Sequence, residues 1–371
     1  MIFFNIINLP EDLKLNHNYE FSTNGLTHKK LNGHPNSTKI SDNIYKYISE
    51  NNNKLKIVIN KFIGQGAYGK VFLITINNTK YAMKISSNEL PDKLYDRYNS
   101  IIESENLAKN IVEIFVCGNI TTIHNKTKYF SIMEYGGVNI KKIKSINNEK
   151  ALTILKQIFN IVEESRKSRQ LLTDFKANNI IVNTETMVIK LIDLYMFCES
   201  YPCTKCKIVK TYPSIEFDNN NKIFENKDYN FTAIYVPLAI TLIDLLCKND
   251  YGTIAKGIIR KHSLEIDAKQ LVILLQVASY NFNNNFSNKY LKSNKHNYPF
   301  LYPSLYKYKK DIENKFPILK NNDIYVEFIN NLDLKVSVFS KKKFIIIINS
   351  LITMCPYQRC IKYFKKKIFS E

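Results

Sequence analysis

Between residues 54 and 133 the chain alternates short apolar runs with polar turns. Val58-Ile59-Asn60-Lys61-Phe62-Ile63, Val71-Phe72-Leu73-Ile74 and Tyr81-Ala82-Met83-Lys84-Ile85 are rich in β-branched and aromatic residues. A Gly-rich turn and an Asn-Asn turn separate them, which predicts a meander of antiparallel strands. Residues 92–109 carry Leu94, Tyr98, Ile101, Ile102 and Leu107 at roughly helical spacing, so a helix is expected there. Two further strands are expected around 114–117 and 129–133. After Gly136-Gly137 the pattern turns helical: Leu152, Leu155, Ile158, Phe159 and Val162 share one face of a helix over 151–165. Apolar helices are also predicted over 232–247, 268–279 and 344–355, and the Asn-rich segment 281–299 reads as a surface loop. Residues 1–53 are polar, Asn-rich and weakly periodic, an extension expected to pack on the core or stay loose.

Composition narrows the partners. The net charge is +20, from 53 basic and 33 acidic residues. The basic residues are almost all Lys, Arg occurring only at 97, 166, 169, 260 and 359. A reader of nucleic acid is expected to use the planar fork of Arg. The runs Lys141-Lys142, Lys341-Lys342-Lys343 and Lys365-Lys366-Lys367 therefore read as solvated surface, and nucleic acid is disfavoured as a partner. Lys, Asn and Ile together are what AT-rich codons encode. The seven Cys form no regular framework, which suggests reduced thiols in an intracellular, cytoplasmic protein. Cys203-x-x-Cys206 lacks a second pair at metal spacing, so zinc is disfavoured. The start has no basic leader or small-residue cleavage site, and the longest apolar run, 344–352, is too short to cross a bilayer. A soluble chain without a transmembrane segment is expected.

The candidate chemistry lies in four places. Gly64-Gln65-Gly66-Ala67-Tyr68-Gly69-Lys70-Val71 joins two predicted strands. Glycines there let backbone amides approach phosphates; the bland alternative is a hairpin turn. A dinucleotide-binding unit is disfavoured, because the chain returns to a strand and not to a helix. Lys84, thirteen residues after Val71, can hold phosphates as a point charge, with Glu103 or its neighbour Glu105 on the predicted helix to orient it. A polar loop after Leu171-Leu172 holds Asp174, Lys176 and Asn179. That spacing can put a carboxylate at an attacking hydroxyl, an ammonium at a migrating phosphate and an amide oxygen at a metal. Asp193 ends the apolar run 188–192, where a carboxylate suits Mg²⁺.

Taken together, these motifs resemble the eukaryotic-type protein kinase family over about residues 54–364. The resemblance implies an α+β, two-lobed fold: a small N-lobe over 54–137, with an antiparallel sheet and one helix, and a larger helical C-lobe over 138–371. It implies ATP with Mg²⁺, or Mn²⁺, as cofactors and a protein as substrate. Gly64, Gln65, Gly66, Ala67, Tyr68, Gly69, Val71 and Ala82 would surround the nucleotide. Lys84 would hold its phosphates with Glu103 as the orienting acid. Met133, Glu134 and Tyr135 would form the hinge, with Met133 as gatekeeper. Asp174 would be the base and Lys176 its partner at the transferring group, with Asn179 and Asp193 on the metal. Lys two residues after the base resembles the serine/threonine branch. Met354, Pro356 and Arg359 resemble the closing helix of the family. Eroded motifs and AT-like composition are similar to the divergent kinases of large cytoplasmic DNA viruses, which would put the chain in a host cytoplasm or virion.

The sequence departs from the family at several points. Leu172-Thr173-Asp174 stands for His-Arg-Asp, so the usual grip on a phosphorylated loop is missing. Asp193-Leu194-Tyr195 stands for Asp-Phe-Gly, and Pro213-Ser214-Ile215-Glu216 is a faint form of Ala-Pro-Glu. Ile234 lies where the central helix is expected to carry Asp. The groups that meet phosphate, proton and metal are all present, which favours an active serine/threonine kinase. The alternative is a pseudokinase scaffold that binds a protein partner.

Overall fold

The computed structural model describes residues 1–10, 13–29, 35–66, 69–88, 90–143, 145–168, 170–172, 174–194, 197–198, 234–268 and 323–352, with positions 271, 272, 274, 275, 278 and 314. The chain divides into two compact units, residues 1–137 with 190–194, and residues 138–189 with 195–371.

The first unit is built on seven strands: β1 (Ile2–Leu9), β2 (His17–His28), β3 (Lys54–Gly66), β4 (Gly69–Ile76), β5 (Thr79–Ser86), β6 (Ile114–Thr122) and β7 (Thr127–Glu134). They close into a barrel of order β1-β2-β3-β4-β5-β7-β6. Neighbours pair antiparallel, except that β1 runs parallel to β6. Period-two alternation decides what lies inside. Ile2, Phe4 and Ile6 of β1, Leu55, Ile57 and Ile59 of β3, Phe72, Ile74 and Ile76 of β4, and Phe130 and Ile132 of β7 are buried in one cluster. Closure leaves no unpaired sheet edge.

The sequence expected five of these strands. The other two come from the polar segment 1–53, which contributes β1, β2 and the helix α1 (Pro35–Glu50) to the first unit. Its apolar residues are few but fall on one face: Ile44 and Ile48 of α1 are buried in the same core. The Ser41 hydroxyl donates to the Phe115 carbonyl at 3.3 Å. Gly118 makes the β1–β6 approach possible, since a Cβ there would lie 1.6 Å from the Phe4 carbonyl oxygen.

The single helix expected over 92–109 is two helices, α2 (Pro91–Ile102) and α3 (Glu105–Ala108). Pro91 starts α2, where its missing N–H costs nothing. Ser104 interrupts the run in extended conformation, and its carbonyl accepts from the amides of Leu107 and Ala108. Lys29, just past β2, holds α2 from outside: its ammonium lies 2.6 Å from Asp92 and over the rings of Phe3 and Tyr95.

The second unit is mostly helical. Helix α4 (Asn148–Lys167) is capped by Asn147, which accepts from the Lys150 amide at 2.9 Å. It buries the face carrying Ile154, Leu155, Ile158, Phe159, Ile161 and Val162. Helix α5 (Tyr235–Leu246) is apolar apart from Thr241 and Asp244 and is buried along its whole length, as that pattern requires. It packs against α8 (Lys341–Ile352) and α6 (Tyr251–Lys261), and α6 packs against α7 (Asp323–Asn330). Between 268 and 278 the described positions are helical, with Leu271, Val272, Leu274, Leu275 and Ala278 buried. The segment 281–299, Cys203, Cys206 and residues 353–371 lie outside the described residues.

Gly118→Ala is expected to lower stability by about 1–3 kcal/mol, because Phe4 backbone must move, whereas Gly64→Ala stays within about 0.5 kcal/mol. Denaturant unfolding checks this; equal midpoints for the two variants would count against closure through Gly118.

Candidate active site

In the first unit the strand register gathers several of the expected residues. Val71 lies opposite Lys84, and Lys84 opposite Ser131; Leu73 lies opposite Ala82, and Ala82 opposite Met133. Directly opposed residues share a face. Val71, Ala82, Lys84 and Met133 therefore lie together on the face away from the barrel core, while Phe72, Met83 and Ile132 point into it. The hydroxyl of Ser131 on that row is buried without a hydrogen-bond partner among the described residues.

The glycines of the 64–69 turn differ in purpose. A Cβ at Gly69 would meet the Ile85 carbonyl oxygen at 2.2 Å, so the fold itself requires glycine there. A Cβ at Gly64 or Gly66 would meet nothing within 4 Å, and neither has positive φ. Packing and backbone conformation therefore leave these two unexplained. Open backbone beside the Lys84 face fits a phosphate-bearing ligand. Gln65 is exposed between them; Ala67 and Tyr68 lie outside the described residues.

Glu103 is placed differently from expectation. It follows the last residue of α2 as its C-cap and lies outside any helix. The helix break at Ser104, which propensity over a longer window hides, is the reason.

Asp193 follows β11 (Ile189–Leu191). The edge of this strand is bonded within the first unit: the Leu191 amide donates to Asn110 at 2.7 Å, and the Val112 amide donates to Leu191 at 3.1 Å. Lys190 pairs with Glu134 at the end of β7. Glu134 is itself fixed, its amide donating to the Glu113 carbonyl at 2.8 Å and its carboxylate accepting from the Glu113 amide at 3.3 Å. Asp193 has φ +69°, a left-handed conformation uncommon for a residue with a side chain.

In the second unit, β9 (Leu171–Leu172) and β10 (Ile180–Val182) flank the polar loop. Asp174 and Asn179 are 6% and 7% exposed. The Asn179 amide nitrogen donates to the Asp174 carbonyl at 3.0 Å and to its carboxylate at 3.3 Å. The Lys176 ammonium lies 2.6 Å from the same carboxylate. A near-buried carboxylate is thus held by one amide and one cation, which suits a charged group kept from water. Both donors of Asn179 are spent on Asp174, so its side-chain oxygen is left as an acceptor.

Asn139 supports the loop from β8 (Val138–Asn139), donating to the carbonyls of Ala177 at 3.3 Å and Asn178 at 2.7 Å. Lys141 follows, 3.2 Å from both Asp244 and Asp250. Burial raises the Asp244 carboxyl above its ordinary value, against the Tyr251 amide and Lys141. Burial also pulls the Lys141 ammonium down, but the two carboxylates outweigh it and the net shift is upward.

Among the described residues no three His, Cys, Asp or Glu cluster as a metal site. Taken each within its own unit, the amide oxygen of Asn179 and the carboxylate of Asp193 are hard oxygen donors of the kind that Mg²⁺ accepts. Sequence reasoning missed Asn139, Lys190 and Gln157. The last accepts from the Ile189 amide at 3.0 Å and donates to the Met187 carbonyl at 2.7 Å, fixing the entry to β11. None carries a local signal; each acts through a distant contact. Thr173, Tyr195, 213–216 and Arg359 lie outside the described residues, and Ile234 caps α5.

A family model described as protein kinase domain matches residues 57–363. A search of curated proteins found no match. No helix among the described residues is long and apolar enough to cross a membrane.

Asn179→Ala removes both donors from Asp174 and is expected to cost about 1–3 kcal/mol of stability. Urea unfolding beside Asn178→Ala, an exposed neighbour, checks it; equal losses would contradict the arrangement.

Proposed function

Because the chain belongs to the protein kinase family, we propose that it transfers the γ-phosphate of ATP to a serine or threonine hydroxyl of a protein substrate. The observation that carries this reading is the loop in which Asp174, nearly buried, is held by Asn179 and paired with Lys176 at 2.6 Å. A carboxylate so fixed can accept or orient the proton of an attacking hydroxyl. Lys176 then brings one positive charge to the point where phosphate charge arrives. Its position two residues after Asp174 supports Ser/Thr over Tyr.

The remaining roles follow from the chemistry of each group. The open backbone at Gly64 and Gly66 covers the phosphates, and Lys84, on the same face as Val71, Ala82 and Met133, neutralises them. Val71, Ala82 and Met133 supply an apolar wall for the base, next to the hinge residues Glu134 and Tyr135. Asn179 and Asp193 would each offer an oxygen to Mg²⁺, which when bound would offset phosphate charge. The protein's share of catalysis is positioning and charge neutralisation. A kinase that needs no phosphorylated loop agrees with Thr173 standing before Asp174.

Lys84→Met and Asp193→Asn are each expected to abolish transfer from labelled ATP to casein while retaining the thermal midpoint. Phosphoamino acid analysis is expected to yield phosphoserine or phosphothreonine, with no transfer to sugars or aminoglycosides. Unchanged transfer in both variants would overturn the assignment. Nucleotide binding with no transfer by the wild type would give the scaffold reading instead.

A further inference from the structure

We propose that Lys190 is a positioning residue for Asp193, acting by tying the strand that leads to Asp193 onto Glu134. The proposal rests on Asp193 being the metal carboxylate. A residue with a side chain held at φ +69° is strained and persists only where its surroundings over-determine it. Two kinds of contact do so here. One is the backbone bonding of Leu191 to Asn110 and Val112. The other is the side-chain pair of Lys190 and Glu134, whose side chains are 15% and 29% exposed.

Strand alternation separates the two. Leu191 turns its side chain into the core, where it is buried. Lys190 points the other way and reaches β7. Partly buried, the pair is screened less than a surface bridge. Glu134 offers a rigid anchor because it exchanges two hydrogen bonds with Glu113. The backbone bonds of Leu191 hold the strand to residues 110–112. The Lys190 pair adds a side-chain tie to the end of β7, three residues ahead of the carboxylate whose direction matters. A surface ion pair with no such task would be indifferent to the cation bound downstream.

The test is the Mg²⁺ dependence of the thermal shift that a nonhydrolysable ATP analogue produces, measured on the full chain. Lys190→Met is expected to raise the Mg²⁺ concentration at half-effect by about tenfold or more, the range in which supporting partners of metal ligands act. Lys190→Arg is expected to restore it. Glu134→Gln breaks the same pair from the other side and is expected to shift it in the same direction, which covers failure of Lys190→Met to fold. KM for Mg·ATP should rise more than kcat falls. An unchanged half-effect concentration in Lys190→Met, or in Glu134→Gln if that variant alone folds, overturns the positioning role. If the wild type itself shows no Mg²⁺-dependent shift, the metal reading of Asp193 falls, and the positioning role with it.

Discussion

The ladder joining β4, β5 and β7 sets the direction of every strand-borne group in the candidate nucleotide site. Lys84 meets Val71 on one side and Ser131 on the other, and Ala82 meets Met133. Because side chains alternate with period two, a slip of one residue would turn Lys84 into the barrel core and Met83 out of it. The closed sheet guards against that slip. Its last seam, β1 on β6, closes only because Gly118 lets the Phe4 carbonyl come close. The register at Lys84 is thus secured in part by β1, more than sixty positions before it.

The polar groups of the two units follow one rule, that a charge withdrawn from water is given fixed partners. Asp174 has Asn179 and Lys176, Asp244 has Lys141 and the Tyr251 amide, and Glu134 has Lys190 and the Glu113 amide. Most of these partners are amides or single lysines. Arg is scarce in the chain, and Asn takes up much of the work of fixing loops, as Asn139, Asn147 and Asn179 illustrate.

Local signals made much of this legible. The strand runs over 58–85 were readable from β-branched residues and Gly or Asn turns, and β3, β4 and β5 contain them. The four motifs were readable from residue type and spacing. Three things were not. Strand β2 was hidden because its outward positions Asn18, Glu20, Ser22 and Asn24 dilute a short apolar alternation, and β1 because Phe3 and Ile7 on its outer row blur the period-two pattern of Ile2, Phe4 and Ile6. The break between α2 and α3 was hidden because Leu107 keeps helical spacing across Ser104, and this moves Glu103 off the helix. The supports Asn139 and Lys190 were invisible because their partners lie 38 and 56 residues away; no local pattern records such a contact.

The most direct test of the account separates binding from transfer at the buried carboxylate. Wild type and Asp174→Ala would be compared for Mg²⁺-dependent nucleotide binding and for transfer of labelled phosphate to a protein. The account expects both to bind nucleotide and only the wild type to transfer, with the variant reduced by a hundredfold or more, on the order of what a positioned acid–base group contributes. Undiminished transfer by Asp174→Ala would contradict it.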